Sequence, residues 1–202
     1  NSLVVAVGDV SGKGVPAALY GTFAGELVRS RTFRRRYTPE RSDPATVLAS
    51  MNTILNERQL EEYYCTLLYA VFDLKRRTVT LANSGMPYPI RARHGGTEAS
   101  DPAAVIELPG VPLGAFAGSH YDEVTLELRR GDLFVFYTDG LSEATNAQDE
   151  EFGVARLLAT VDTLAHLPAR AIVDGLCDAV AVHRGDHPPS DDMTVVVLKV
   201  TA

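Results

Sequence analysis

The chain has 202 residues, 46% of them hydrophobic and 22% charged, an ordinary globular composition that supports one sizeable core and excludes a disordered chain. Its formal net charge of −7 argues against a general nucleic-acid or membrane-surface role, because both require a basic face. No apolar run approaches the roughly 18 residues that span a bilayer, so no membrane segment is expected in this chain.

The first element expected is a buried strand over Leu3–Val7, apolar and β-branched, stopping at Gly8-Asp9. After a Gly-rich turn, Pro16 suits a first helical turn, and Leu19, Phe23 and Leu27 recur at four-residue steps as one helical face. A polar loop follows. Ser42-Asp43-Pro44 then reads as a second helix start, with a capping side chain and Pro at the first position. Val47, Leu48, Met51, Ile54 and Leu55 form that helix's apolar stripe.

The period changes in the middle of the chain. Thr66–Leu74 and Thr78–Asn83 flank Lys75-Arg76-Arg77 as a hairpin, and Tyr88–Arg93 is a further short strand before His94-Gly95-Gly96. Val124, Leu126 and Leu128 alternate with polar residues, as on a half-exposed strand. Arg130-Gly131-Asp132 turns into the apolar run Leu133–Tyr137. Val154, Leu157, Leu158 and Val161 predict a helix; Ile172, Leu176, Ala179 and Val180 predict a second. His187-Pro188-Pro189-Ser190 breaks it, and Met193–Val200 closes the chain as a strand. Strands and helices segregated in this order favour an α+β domain with antiparallel sheets covered by helices. There is no internal repeat or linker, so residues 1–202 are expected to be a single domain. The opening Asn-Ser-Leu-Val-Val has no initiator Met or leader, as in a domain cut from a longer protein.

Cys65 opens a strand-like run and Cys177 sits in a helical pattern, so both read as small core residues. The absence of a disulfide framework fits a cytoplasmic protein, and five scattered histidines give no zinc pattern. The one basic run, Arg29, Arg31, Arg34, Arg35 and Arg36, is either a solvated helix C-terminus or a docking patch for an acidic protein.

Acidic residues recur at strand ends. Asp9 follows Leu3–Val7, Asp139 follows Leu133–Tyr137, and Asp191 and Asp192 precede Met193–Val200. If the last strand runs antiparallel to the other two, these carboxylates share one sheet edge. Gathered carboxylates repel one another unless cations neutralise them, and all-oxygen ligation selects Mg²⁺ or Mn²⁺. Taken singly, each is an ordinary turn aspartate, since Asp-Gly and Ser-Asp are common turn pairs. Gly8-Asp9-Val10-Ser11-Gly12-Lys13-Gly14 is not a P-loop: it has three residues, not four, before Gly-Lys, and Gly14 replaces the required hydroxyl.

That segment, with Asn83-Ser84-Gly85-Met86-Pro87, Tyr137-Thr138-Asp139-Gly140-Leu141-Ser142-Glu143-Ala144 and Asp191-Asp192-Met193-Thr194-Val195, carries a resemblance. In this order and spacing the four motifs resemble the bacterial branch of the protein phosphatase 2C (PPM) family, the sporulation-protein-E-like and RsbU-like serine phosphatases. The resemblance implies a central antiparallel β-sandwich flanked by helix pairs. It implies two Mn²⁺ or Mg²⁺ ions: Asp9 bridging them, the Val10 carbonyl on one, Asp139 and Asp191 completing the other, and Asp192 as an outer partner. Asp9, Asp139 and Asp191 are then the catalytic residues, and water activated between the ions attacks phosphorus in line. Gly12 and Gly140 would let the backbone pass close to the metals.

The resemblance further implies a phosphorylated STAS-domain (anti-anti-sigma) protein as substrate, and hence sigma factor regulation and signal transduction. It also implies partner or homodimer contacts through helices near 16–31 and 44–58. Two departures stand against the pattern. Ser11 occupies the place of a His that serves eukaryotic members as a candidate acid, and Ser is a poor acid at neutral pH. The acidic Gly-Gly-Asp-like strand usual upstream of this start is absent from the sequence, which puts the second metal in question. Three readings follow: an active phosphatase, a weak or inactive regulatory module of the same fold, and another two-metal phosphoesterase.

Overall fold

The computed structural model describes residues 2–33, 43–58, 63–95, 100–189 and 191–201. In chain order the elements are β1 (Ser2–Val10), α1 (Val15–Phe33), α2 (Pro44–Glu57), β2 (Cys65–Asp73), β3 (Thr78–Ser84), β4 (Ile90–Arg93), β5 (Asp101–Val105), β6 (Glu123–Glu127), β7 (Asp132–Tyr137), α3 (Asp139–Ser142), α4 (Gly153–Leu164), α5 (Ala169–Arg184) and β8 (Val195–Lys199). They fall into two compact units, Asn1–Met86 with Leu108–Glu127, and Pro87–Glu107 with Leu128–Ala202. Each unit has one four-stranded antiparallel sheet and its own helices, which is the α+β class expected. No helix among the described residues is long and apolar enough to cross a membrane.

The first unit's sheet has the order β1-β2-β3-β6. Strands β1 and β2 pair without interruption from Ser2↔Asp73 to Val10↔Cys65. Alternate residues of a strand share a face, and Cys65, Leu67, Tyr69 and Val71 of β2 meet the helices there. Helix α2 contributes Val47, Leu48, Met51 and Leu55 to this core, each such burial being worth roughly 2 kcal/mol. Asp43 takes the N-cap position of α2, but its side chain makes no capping bond. The Ala45 N–H donates instead to Glu123 Oε2 at 3.3 Å, so a neighbouring strand supplies the acceptor expected of the local cap.

The expected core face of α1 is corrected in part: Phe23 and Leu27 are half-buried against this core, but Leu19 is 66% exposed, and the fully buried residues are Ala17, Tyr20 and Ala24. Polar and apolar residues alternate irregularly along this helix, with Thr22, Glu26 and Arg29 among its apolar positions, and Tyr20 is turned inward against the ring of Tyr63, 6.0 Å between centroids. Arg29 pairs with Glu26 at 2.9 Å along the helix surface, an exposed pair of small energetic weight. Ser42, Arg34, Arg35 and Arg36 lie outside the described residues.

The second unit's sheet has the order β5-β4-β7-β8. Every residue of β7 is buried, and Leu133, Val135 and Tyr137 pack against Leu157 and Val161 of α4 and Ile172, Leu176 and Val180 of α5. Asp132 is fully buried and held by Arg93 Nε at 2.8 Å and Arg91 at 2.9 Å. Strand β5 is not signalled by its sequence, because Asp101-Pro102 reads as a turn. It sits at the sheet edge, where Pro is tolerated, anchored by the Arg93–Asp101 ion pair at 2.9 Å and by the Ala103 N–H donating to Asp162.

Candidate metal centre

In the first unit, Asp9 is the penultimate residue of β1, registered against Thr66 of β2. The strand end is fixed by close packing: a Cβ on Gly8 would come within 2.7 Å of the Thr66 carbonyl oxygen. Beyond β1 the pairing is extended by Ser11, whose N–H donates to the Tyr64 carbonyl and whose Oγ accepts the Tyr64 N–H, both at 2.9 Å. Gly12 then turns the chain at φ +85°, a conformation that favours glycine whatever lies nearby. The Asp9 carboxylate is exposed, and its Oδ1 accepts the N–H of Val10 at 2.7 Å. Behind it, burial first and Asp9 second push the Cys65 thiol up to about 12.

In the second unit, the end of β7 and the approach to β8 are zipped together. The Thr138 N–H donates to the Thr194 carbonyl at 3.1 Å, and the Thr194 N–H donates to Thr138 Oγ1 at 2.9 Å. The same hydroxyl donates to the Asp192 carbonyl at 3.3 Å. These bonds set Asp139-Gly140 beside Asp191-Asp192. Asp139 is half-buried; Asp191 and Asp192 are exposed. Asp139 Oδ1 accepts the Gly140 N–H at 2.9 Å, and Asp191 Oδ1 accepts the Asp192 N–H at 2.8 Å. Asp9, Asp139 and Asp191 thus share one local form, a strand-end carboxylate turned onto the next backbone N–H.

Glu143 belongs to this acidic edge and received no role from the sequence. Its carboxyl is held above the usual range by desolvation first, then by the charges of Asp139, Glu151 and Asp191. The sequence offers only the spacing: Glu143 stands four residues after Asp139, and the helical turn of α3 makes side chains at that spacing neighbours.

The second unit therefore brings Asp139, Asp191, Asp192 and Glu143 into one neighbourhood, while Asp9 and Val10 belong to the first unit. Among the described residues, no group of three or more His, Cys, Asp or Glu is gathered closely enough to hold a metal ion. The donors fit a hard divalent cation in kind, being all oxygen. Their arrangement supplies pairs of acids, not a closed set.

A sequence profile of the family described as "Stage II sporulation protein E (SpoIIE)" matches residues 1–201. Phosphoserine phosphatase RsbU of Bacillus subtilis (strain 168) is 24% identical over 199 residues, 98% of this chain and 56% of that protein. The chain thus spans about half the length of that curated relative. The solved PP2C phosphatase domain of SpoIIE from Bacillus subtilis, with a fragment of its regulatory domain, superimposes with a TM-score of 0.78 at 22% identity, over 98% of this chain and 55% of that one. The catalytic domain of the serine/threonine phosphatase PstP, solved in complex with two manganese ions, gives a TM-score of 0.65 at 18% identity, over 98% of this chain and 88% of that one.

Proposed function

The chain belongs to the stage II sporulation protein E family, and from that premise we propose that it is the catalytic part of a metal-dependent protein phosphatase that hydrolyses phosphoserine or phosphothreonine. The observation that carries this reading is the Thr138–Thr194 zipper. It sets the segment bearing Asp139 beside the one bearing Asp191, next to Glu143, whose carboxyl is raised by desolvation first and then by the charges of Asp139, Glu151 and Asp191. A relative named as a phosphoserine phosphatase and a fold neighbour holding manganese support it.

Mn²⁺ or Mg²⁺, when bound, supplies an activated water and positive charge for the phosphoryl oxygens. Asp139 and Asp191 would hold such an ion, with the Asp192 backbone N–H orienting the Asp191 carboxylate. Asp9 and the carbonyl of Val10 would serve a second ion. Ser11 donates its N–H to the Tyr64 carbonyl and accepts the Tyr64 N–H on Oγ, so it aligns the β1 end; a hydroxyl is too weak an acid at neutral pH to protonate the leaving group, which would take its proton from water. Residues 1–202 act as one phosphatase domain in the cytoplasm. The substrate is a phosphorylated STAS-domain protein whose dephosphorylation leads to release of a sigma factor. Exposed Val15 and Leu19 on α1, at 73% and 66% exposure, support a homodimer or partner contact on the α1–α2 helices.

The second reading, a regulatory module of the same fold with little turnover, is favoured by the lack of a three-acid group among the described residues. One pair of measurements separates the two. The phosphatase requires Mn²⁺-dependent hydrolysis of a phosphoserine peptide, and calorimetric Mn²⁺ binding, both reduced in Asp139→Asn by more than the about 10- to 100-fold cost of losing an outer-shell partner. Unchanged turnover in that variant removes the mechanism. Mn²⁺ binding without turnover leaves the regulatory module.

A further inference from the structure

In the first unit the chain leaves Val10 through a turn with two glycines in the left-handed region, Gly12 at φ +85° and Gly14 at φ +84°. Glycine adopts either sign of φ with equal ease, so such a turn keeps one shape only if a neighbour holds it. At Gly14 an added Cβ would meet open space. At Gly12 it would stand 3.2 Å from Cε1 and 3.7 Å from Cδ1 of the Tyr63 ring. We propose that Tyr63 is a positioning residue for the metal donors at the end of β1: its ring, laid on Gly12, fixes the turn and with it the aim of the Val10 carbonyl and the Asp9 carboxylate. That these two groups serve an ion rests on the phosphatase reading above.

The ring is itself held in place. The chain that carries it is fixed through Tyr64, which shares two hydrogen bonds of 2.9 Å with Ser11. It is fixed again at Cys65, whose N–H and carbonyl pair with Leu113 at 3.0 and 2.8 Å. Behind the ring stands buried Tyr20 of α1, with 6.0 Å between the ring centroids. Gly114 closes the space around this pair: an added Cβ there would come within 2.6 Å of the Tyr20 hydroxyl and 3.5 Å of the Tyr63 carbonyl oxygen. The Gly114 N–H is pinned in turn to Asn52 Oδ1 of α2 at 2.8 Å. A ring enclosed in this way is not free to swing off Gly12.

Packing alone is the ordinary role of a half-buried tyrosine at the margin of a core. Tyr63 differs in what its ring touches. Gly12 is two residues beyond Val10, and a change of ψ at Val10, which a relaxed turn permits, swings the Val10 carbonyl directly. The N–H of the same residue holds Asp9 Oδ1 at 2.7 Å, so both donors meet at the residue that leads into the turn. The missing Cβ of Gly12 is used here to admit a ring, where the sequence pattern implied room for a metal. The contact runs through ring carbons and not through the hydroxyl, so phenylalanine is expected to serve as well as tyrosine.

The test is Mn²⁺ binding to the full chain by titration calorimetry, with circular dichroism to establish that each variant folds. Tyr63→Phe is expected to bind as the parent does. Tyr63→Leu, which keeps apolar bulk but not the flat ring, is expected to bind about tenfold more weakly, the low end of the cost of losing a group that orients metal ligands. Tyr63→Met, whose unbranched chain adapts to the gap, replaces it with the same expectation if the leucine variant does not fold. In an Asp9→Asn background the Tyr63→Leu change is expected to cost nothing further, because the ion served by the turn is already lost. Parent-like affinity in Tyr63→Leu overturns the proposal, as does an undiminished loss in the Asp9→Asn background, or a loss in Tyr63→Phe equal to that in Tyr63→Leu. Hydrogen exchange across residues 8–14 in metal-free protein, read by mass spectrometry, is expected to quicken in Tyr63→Leu and not in Tyr63→Phe. If the parent binds no Mn²⁺, the phosphatase reading falls and exchange alone judges the brace: faster exchange in Tyr63→Leu sustains it, and unchanged exchange overturns it.

Discussion

Gly140 lies against the main chain of Asp192 so tightly that an added Cβ would overlap the Asp192 carbonyl oxygen and come within 3.1 Å of its carbon. Residue 140 therefore sets how near the segment bearing Asp139 approaches the one bearing Asp191. The backbone N–H of the same glycine also orients Asp139 Oδ1. Gly140→Ala is expected to destabilise the protein by about 1–3 kcal/mol, the range for inserting a methyl group into a filled space. Mn²⁺ affinity should fall as well, because the relaxation that admits the methyl group separates the two acids. Urea unfolding and calorimetry check the two effects; a parent-like metal affinity would mean the acids are not positioned through this contact.

Thr138 joins the same two segments through its side chain. Replacing it with Val keeps the volume but removes the acceptor of the Thr194 N–H and the donor to the Asp192 carbonyl. Thr138 is buried, so the stranded groups are expected to cost about 1–3 kcal/mol. Chemical denaturation measures the loss, and Thr138→Ser, which restores the hydroxyl, should recover most of it.

Much of this arrangement was legible from residue order, and the rest failed for identifiable reasons. Strands β2 and β7 announce themselves as continuous apolar runs because they are buried along nearly their whole length. Helices α4 and α5 show their buried Leu157, Val161, Ile172, Leu176 and Val180 at helical spacing. Helix α1 showed its inner face only in part: Phe23 and Leu27 pack inward, but small residues at Ala17 and Ala24 are the ones fully buried, and alanine carries little periodic signal. Strand β5 hid behind Pro102, which is acceptable only because it lies at a sheet edge. The aspartates were legible as strand-end residues, but the bonds that align two of them run through Thr138 and Thr194, whose pairing depends on which strands become neighbours. Glu143 was visible within its motif and could be assigned to the acidic edge only once α3 was seen as a single turn.

The raised carboxyl of Glu143 gives a pH signature. Its ordinary value is 4.5, and in the folded protein it lies above that because of desolvation and the charges of Asp139, Glu151 and Asp191. Between those two values the folded state holds more protons than the unfolded state, so stability falls as pH rises through the window. The contribution is fully present below pH 4.5 and lost above the raised value. In metal-free protein, Glu143→Gln is therefore expected to melt at a higher temperature than the parent at neutral pH, with the difference vanishing towards acid. Differential scanning fluorimetry across pH tests the sign; a variant that melts lower at neutral pH would show that Glu143 is stabilised, not strained, by its neighbours.

Cys65 supplies a chemical probe of the Asp9 strand end. It is 4% exposed, and its thiol is pushed up to about 12, by burial and then by Asp9. Only the thiolate attacks a disulfide reagent or alkylator. At pH 8 a group titrating near 12 is ionised to about one part in ten thousand, so Cys65 in the native protein is expected to resist thiol reagents. Asp9→Asn removes the second cause of the upward shift and leaves the burial that is the first. Its Cys65 should react modestly faster, still far more slowly than the thiol in urea. Mass spectrometry of alkylated peptides separates Cys65 from Cys177. Rapid labelling of Cys65 in the folded parent would show that the β1–β2 end opens readily, and would remove the rigid placement of Asp9 on which its metal-binding role depends.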